Sequence, residues 1–290
     1  MRRLVAILVA VAVVALLFGA RPADPAAADP VRLAALRRVA AAQAAEADAA
    51  LNAAQDLMDE GLLEAGRGQA AVLGGDDDPA AIMDRAALSF EAAANPIEVA
   101  YAALTDLAWT LRVLDPERAP PTLTLRGGDM VALGAQWQAT GLPLSAAADL
   151  RRAAEATLEA LGDALAALAR DDAPGALEAV AEAETALESV RALDDELATM
   201  PIWIDTVEAL MAATSDIAEA VLAGDPIALA EAQAAYDAAA ADATRADQAL
   251  AIALGEEAAR ITGPASAASG EAQRQVAATR AAIDALSILP

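Results

Sequence analysis

The sequence predicts an all-α protein: an elongated antiparallel bundle of alanine-rich helices, with a short α-solenoid of helical hairpins as the alternative. Three observations predict it. Apolar residues recur in steps of three and four over long stretches, the period of one helix face. Helix starts are marked by an acid and a nearby proline, at Asp29-Pro30, Asp78-Pro79, Asp172 with Pro174, and Asp225-Pro226. There the carboxylate caps free N–H groups, and proline sits where its missing N–H costs nothing. Finally, 57% of the 290 residues are hydrophobic although the chain has only three Trp, two Tyr and two Phe, so alanine carries the figure. Alanine loses no side-chain entropy in a helix and lets helix axes approach, so close packing replaces bulk.

Taken in order, Arg2 and Arg3 precede an uncharged apolar run from Leu4 to Ala20, the pattern of a secretory signal or N-terminal membrane anchor over residues 1–28. Ala26, Ala27 and Ala28 supply an Ala-x-Ala cleavage site. Residues 29–290 then form the helical domain. Asp29 and Pro30 open a helix expected to stop near Ala65, before Gly66 and Gly68. Pro79 opens the next, which Asn95-Pro96 should kink or restart before the stripe Ile97, Tyr101, Leu104, Ala108 and Leu111.

The 115–128 segment is different: Pro116, Pro120, Pro121, Gly127 and Gly128 surround Thr122 to Leu125. It reads as a loop with one short extended piece, and it is the place where the domain subdivides if it does. Asp129 is expected to cap a short helix ending near Trp137, and Ser145 to start a longer one carrying Leu158, Leu161, Leu165 and Leu168. A helix with Leu177, Val180, Leu187, Val190 and Leu197 follows, and Pro201 is expected to end it.

The best-patterned helix begins at Pro201. Trp203, Val207, Leu210, Thr214, Ile217 and Val221 form one stripe, with Asp205, Glu208, Asp216 and Glu219 off it. Gly224 should close this helix in a left-handed turn, and Asp225-Pro226 should open the next. That last long helix is expected to break at Gly263-Pro264, before a terminal one with Val276, Ile283 and Leu286 on one face. The starts recur about every 50 residues, which fits either a helical repeat or one capping solution reused among helices of similar length.

Charge and composition exclude much chemistry. The 19 basic residues are all Arg, against 44 acids, for a formal charge of −25, and there is no Lys, His or Cys. A Ser-His-Asp triad, a thiol nucleophile, a Schiff base, a Walker lysine and the usual zinc sites are all closed to this chain. The acid excess disfavours nucleic acid, and the linear sequence has no polybasic run for anionic lipid. Partners are therefore expected to be an unidentified protein, a polymer, or a cationic or neutral ligand. A membrane is expected only through residues 4–20.

The remaining candidates are few. Asp76-Asp77-Asp78, Asp171-Asp172 and Asp194-Asp195-Glu196 are acid clusters without EF-hand spacing, expected to be helix caps or solvated faces, with no metal, cofactor or catalytic role. The scarce aromatics Tyr101, Trp109, Trp137, Trp203 and Tyr236, with Arg112, are the candidate ligand-binding residues. Each also has a packing role available: Tyr101 and Trp203 lie on core stripes, and Trp137 is expected at a helix end with its N–H on a carbonyl. Arg112 and Arg126 flank the proline-rich loop, with Asp106 and Asp115 as the simplest partners for them. The functional expectation is an exported, non-enzymatic cell-envelope or secreted protein with a structural or protein- or polymer-binding role. The alternative is an extracytoplasmic small-ligand module whose cleft is lined by the few aromatics.

Overall fold

The computed structural model describes residues 30–74, 77–193, 197 and 199–286. The apolar run at 4–20, the cleavage site at 26–28, Asp76 and the Asp194-Asp195-Glu196 cluster lie outside the described residues. Among the described residues the fold is all helical: α1 (Pro30–Ala71), α2 (Pro79–Leu114), α3 (Gly127–Leu168), α4 (Ala173–Leu193), α5 (Met200–Ala223) and α6 (Pro226–Asp284). The last, at 59 residues, is roughly 90 Å long at 1.5 Å per residue.

The helices form an elongated bundle in two sections that share α3 and α6. In the first section α1 packs on α2, α2 on α3, α3 on α6, and α6 back on α1. Polar contacts fix the register: Arg280 Nε donates to Asp48 at 3.1 Å and Gln273 to Asp59 at 2.7 Å, so the C-terminal half of α6 runs antiparallel along α1. In the second section α3 packs on α4, α4 on α5, α5 on α6, and α6 on α3, where Arg151 reaches Asp247 of α6 at 2.8 Å. Helices α1 and α2 touch neither α4 nor α5 among the described residues. One apolar core nevertheless runs through both sections, from Ala40 to Leu286.

Close packing of small residues holds the first section together. Gly127, Gly134 and Gly141 recur every seventh residue on α3, each against α2: a Cβ there would lie 2.8 Å from Glu98 Cγ, 2.9 Å from the Ala87 carbonyl oxygen and 3.0 Å from Ala80 Cα, respectively. Gly61 and Gly68 do the same for α1, beneath Phe90 and Met83. A seven-residue period keeps this seam facing its partner along both helices. On α3 the buried face is Ala154, Thr157, Leu161, Ala164 and Ala167, while Leu158 and Leu165 flank it half-buried.

The turn after α5 is as the sequence predicts. Gly224 is left-handed at φ 64, Asp225 accepts from the Ile227 and Ala228 N–H groups, and Pro226 begins α6. The predicted stripe is buried from Trp203 to Ile217, and Asp205, Glu208, Asp216 and Glu219 are exposed; Val221, at the end, is only partly covered.

Several expected breaks and ends are corrected. Helix α4 stops at Leu193, so Leu197 lies beyond it rather than on its stripe. Helix α1 continues past Gly66 and Gly68 to Ala71, because Gly68 is a packing contact rather than a terminator. Pro96, Pro143 and Pro264 all lie inside continuous helices. Each removes one backbone hydrogen bond, but buried residues next to it (Ile97, Leu144, Ala265) keep the following turn packed. The N-cap of α3 is Arg126, not Asp129; Asp129 serves the helix from within the first turn, accepting from the Arg126 N–H at 2.8 Å. The Thr122–Leu125 piece forms no strand. It lies along the bundle ahead of α3, with Leu123 and Leu125 buried and Thr124 donating to Gln275 at 2.7 Å.

Candidate functional site

The expected site residues separate into three groups. Trp137 and Trp203 are core, 2% and 0% exposed. Trp137 sits inside α3, not at a helix end. It stacks on Phe90 at 6.1 Å, and its indole N–H donates to Ser269 Oγ of α6 at 2.9 Å rather than to a carbonyl. The Trp203 indole nitrogen is buried without a partner. Tyr236 stands apart on the thinly packed N-terminal half of α6, where partial burial, then Asp237, push its phenol above the usual value.

The third group converges. Tyr101, Trp109 and Arg112 on α2 meet Arg126 and residues 121–124 around a shallow pocket of about 400 Å³. Trp109 is 66% exposed, with the Arg112 guanidinium 5.5 Å from its ring centroid. The Arg126 guanidinium lies 3.1 Å from the centroid of Tyr101. Its hydrogen bond is the largest influence holding the Tyr101 phenol below the usual value. The sequence places Tyr101, Ala108 and Arg112 on one helix face. Arg126 arrives only because the extended 122–125 piece runs back beside α2.

Asp106 and Asp115 do not pair with these arginines. Among the described residues neither Arg112 nor Arg126 forms an ion pair, in a chain with 44 acids. The fold also gathers basic residues that the linear sequence disperses. Residues 30–45 at the start of α1 hold three arginines and no acid, and they lie at the same end of the bundle, where Gln43 accepts from Thr110 of α2 at 2.9 Å. An arginine with free N–H donors beside an exposed aromatic ring can bind a carboxylate and cover an apolar or sugar face at once.

Two acids of the clusters, Asp78 and Asp172, act as caps. Asp78 caps α2, accepting from the Ala80 N–H at 3.0 Å and from Ser145 Oγ at 2.7 Å, and the serine bond is the largest cause holding its carboxyl below the ordinary value. Asp172 accepts from the Gly175 N–H at 3.0 Å. No group of three or more carboxylates is placed to hold a metal ion among the described residues.

A second concavity was not visible in the sequence. At the waist between the two sections, α3, α6 and, at and just beyond the end of α4, Leu193 and Leu197 line an open apolar groove of about 830 Å³. Both interior prolines of the shared helices, Pro143 and Pro264, line it, together with Leu150, Leu254 and Ile261. Sequence reasoning missed it because the helices were expected to be interrupted there, between Trp137 and Ser145 and at Gly263-Pro264.

Comparison with protein-family models, with curated proteins and with solved structures finds no match.

Proposed function

We propose that this chain is an exported, non-enzymatic binding protein of the cell envelope or extracellular space, a helical scaffold that captures a protein or polymer on its arginine-bearing end. One observation carries the reading: Arg112 and Arg126 stand on aromatic faces beside the exposed Trp109, and among the described residues no carboxylate pairs with either. Trp, Tyr and Arg are the residues that dominate binding energy at interfaces, and here they cluster in a protein that has very few aromatics. The partner's chemistry follows from the donors. Although the chain as a whole is strongly acidic, this face suits carboxylate groups carried on a flat or apolar surface, such as the sugar rings of an acidic polysaccharide. Export rests on Arg2 and Arg3 followed by the apolar run from Leu4 to Ala20.

Co-sedimentation with insoluble polygalacturonate at physiological salt tests the binding. Wild type should pellet with the polymer, and a Trp109→Ala, Arg112→Ala double variant of unchanged melting temperature should stay in the supernatant. Equal pelleting of the two would remove this face from the function. Export is tested separately, by fractionation of cells carrying residues 1–28 fused to a reporter; a reporter retained in the cytoplasm would contradict it.

A further inference from the structure

The waist groove lies away from the arginine end and carries a different chemistry. Proline has no N–H, so the carbonyl four residues earlier in a helix loses its usual donor. For Pro143 that carbonyl belongs to Ala139, and for Pro264 to Arg260; all four residues line the groove. A helical carbonyl points along the axis toward the residue four positions on, so each released oxygen lies on the face that carries its proline ring. Two residues whose carbonyls lack their helical N–H donor therefore line one apolar groove. At its rim Glu257 and Arg260 neutralise each other in a two-point contact, with Arg260 Nε 2.7 Å from Glu257 Oε2, which leaves no free cation among the described lining residues. The surrounding field is that of a chain carrying −25. The volume is within the range of small-molecule sites, roughly 300–1,000 Å³.

We propose that this groove binds an amphipathic amine. Its hydrocarbon lies along Leu150, Leu254 and Ile261, and its ammonium N–H groups donate to the carbonyls of Ala139 and Arg260. The site requires donors as well as positive charge, which separates it from general adsorption of cations to an acidic surface. It is independent of the arginine end, and either assignment can fail alone.

The test uses the full chain, which has no cysteine, with a single Ala146→Cys on the groove wall labelled with an environment-sensitive fluorophore. Dodecylammonium, dodecyltrimethylammonium, dodecyl sulfate and dodecyl maltoside are titrated below their micelle-forming concentrations. Dodecylammonium should saturate at one per chain and bind about tenfold more tightly than the trimethyl compound, which has no N–H. Pro143→Ala and Pro264→Ala each return a donor to the helix; both should fold, and each should weaken dodecylammonium binding severalfold while leaving dodecyl maltoside unaffected. Unsaturable binding, equal binding of the sulfate, or proline variants that bind dodecylammonium like wild type would each overturn the proposal.

Discussion

The indole N–H of Trp137 on α3 donates to the hydroxyl of Ser269 on α6 across 2.9 Å of buried interior, and that hydroxyl in turn donates to the Ala265 carbonyl at 2.9 Å. This is a fully satisfied polar pair between the two helices that both sections share. Ser269→Ala would leave a buried indole N–H with no acceptor, and should cost about 1–3 kcal/mol. Trp137→Phe removes donor and need together. In the Ser269→Ala background it should therefore cost less than it does in wild type, and a denaturation double-mutant cycle reads the difference. Additive losses would mean that the bond contributes nothing.

Glycines inside helices offer a second check, because two of them differ only in what lies opposite. Gly162 has open space where a Cβ would go, so Gly162→Ala should stabilise by about 1 kcal/mol, the helix-propensity gain. At Gly134 a Cβ would sit 2.9 Å from the Ala87 carbonyl oxygen, a backbone atom that cannot swing away. Gly134→Ala should destabilise by about 1–3 kcal/mol, the usual cost of overpacking, despite the same propensity gain. If both variants stabilise, the α2–α3 seam is not the close contact described.

The two tyrosines should titrate apart. Arg126 on the ring of Tyr101 favours its phenolate, whereas burial, then Asp237, disfavours that of Tyr236. An alkaline absorbance titration should show one phenol ionising below the ordinary tyrosine range and the other above it. Arg126→Met should raise the first and leave the second. The sign for stability follows: an acid with a depressed folded-state value contributes only where it ionises, so the Arg126–Tyr101 contribution grows with pH toward and above 10 and is lost as pH falls through the folded value. A single shared titration step would contradict the assignment.

Trp203 is wholly buried at the start of α5, in a core rich in alanine that has little bulk to collapse into a gap. Trp203→Ala should cost roughly 3–5 kcal/mol and lower the melting temperature clearly. Trp203→Phe should cost less, because it keeps most of the ring volume and removes an indole N–H that has no partner. A Trp203→Ala protein that melts like wild type would take the residue out of the core.

Much of this architecture was legible in the sequence, and what was not has physical causes. Asp78, Gly224 and Asp225-Pro226 act through their immediate neighbours, so their caps and turns could be read locally. Pro143 and Pro264 could not, because whether a helix survives an interior proline depends on the packing of the turns on either side. The same holds for Gly68 and Gly134, whose neighbours come from another helix. At the candidate site, Tyr101, Trp109 and Arg112 were visible as scarce residues on one helix, but Arg126 joins them only through the path of residues 121–125. The waist groove was hidden for the reason the prolines were misread.

The proposed binding role turns on Trp109, the one tryptophan that solvent reaches while Trp137 and Trp203 are buried. A Trp137→Phe, Trp203→Phe variant that retains the helical circular dichroism of wild type leaves Trp109 as the sole indole emitter. Its quenching by acrylamide is then measured with and without soluble polygalacturonate. The account predicts efficient quenching in the free protein and a several-fold fall in the quenching constant on saturation with the polymer, reversed by salt. Quenching unchanged at saturating polymer would contradict the claim that this face is the binding site.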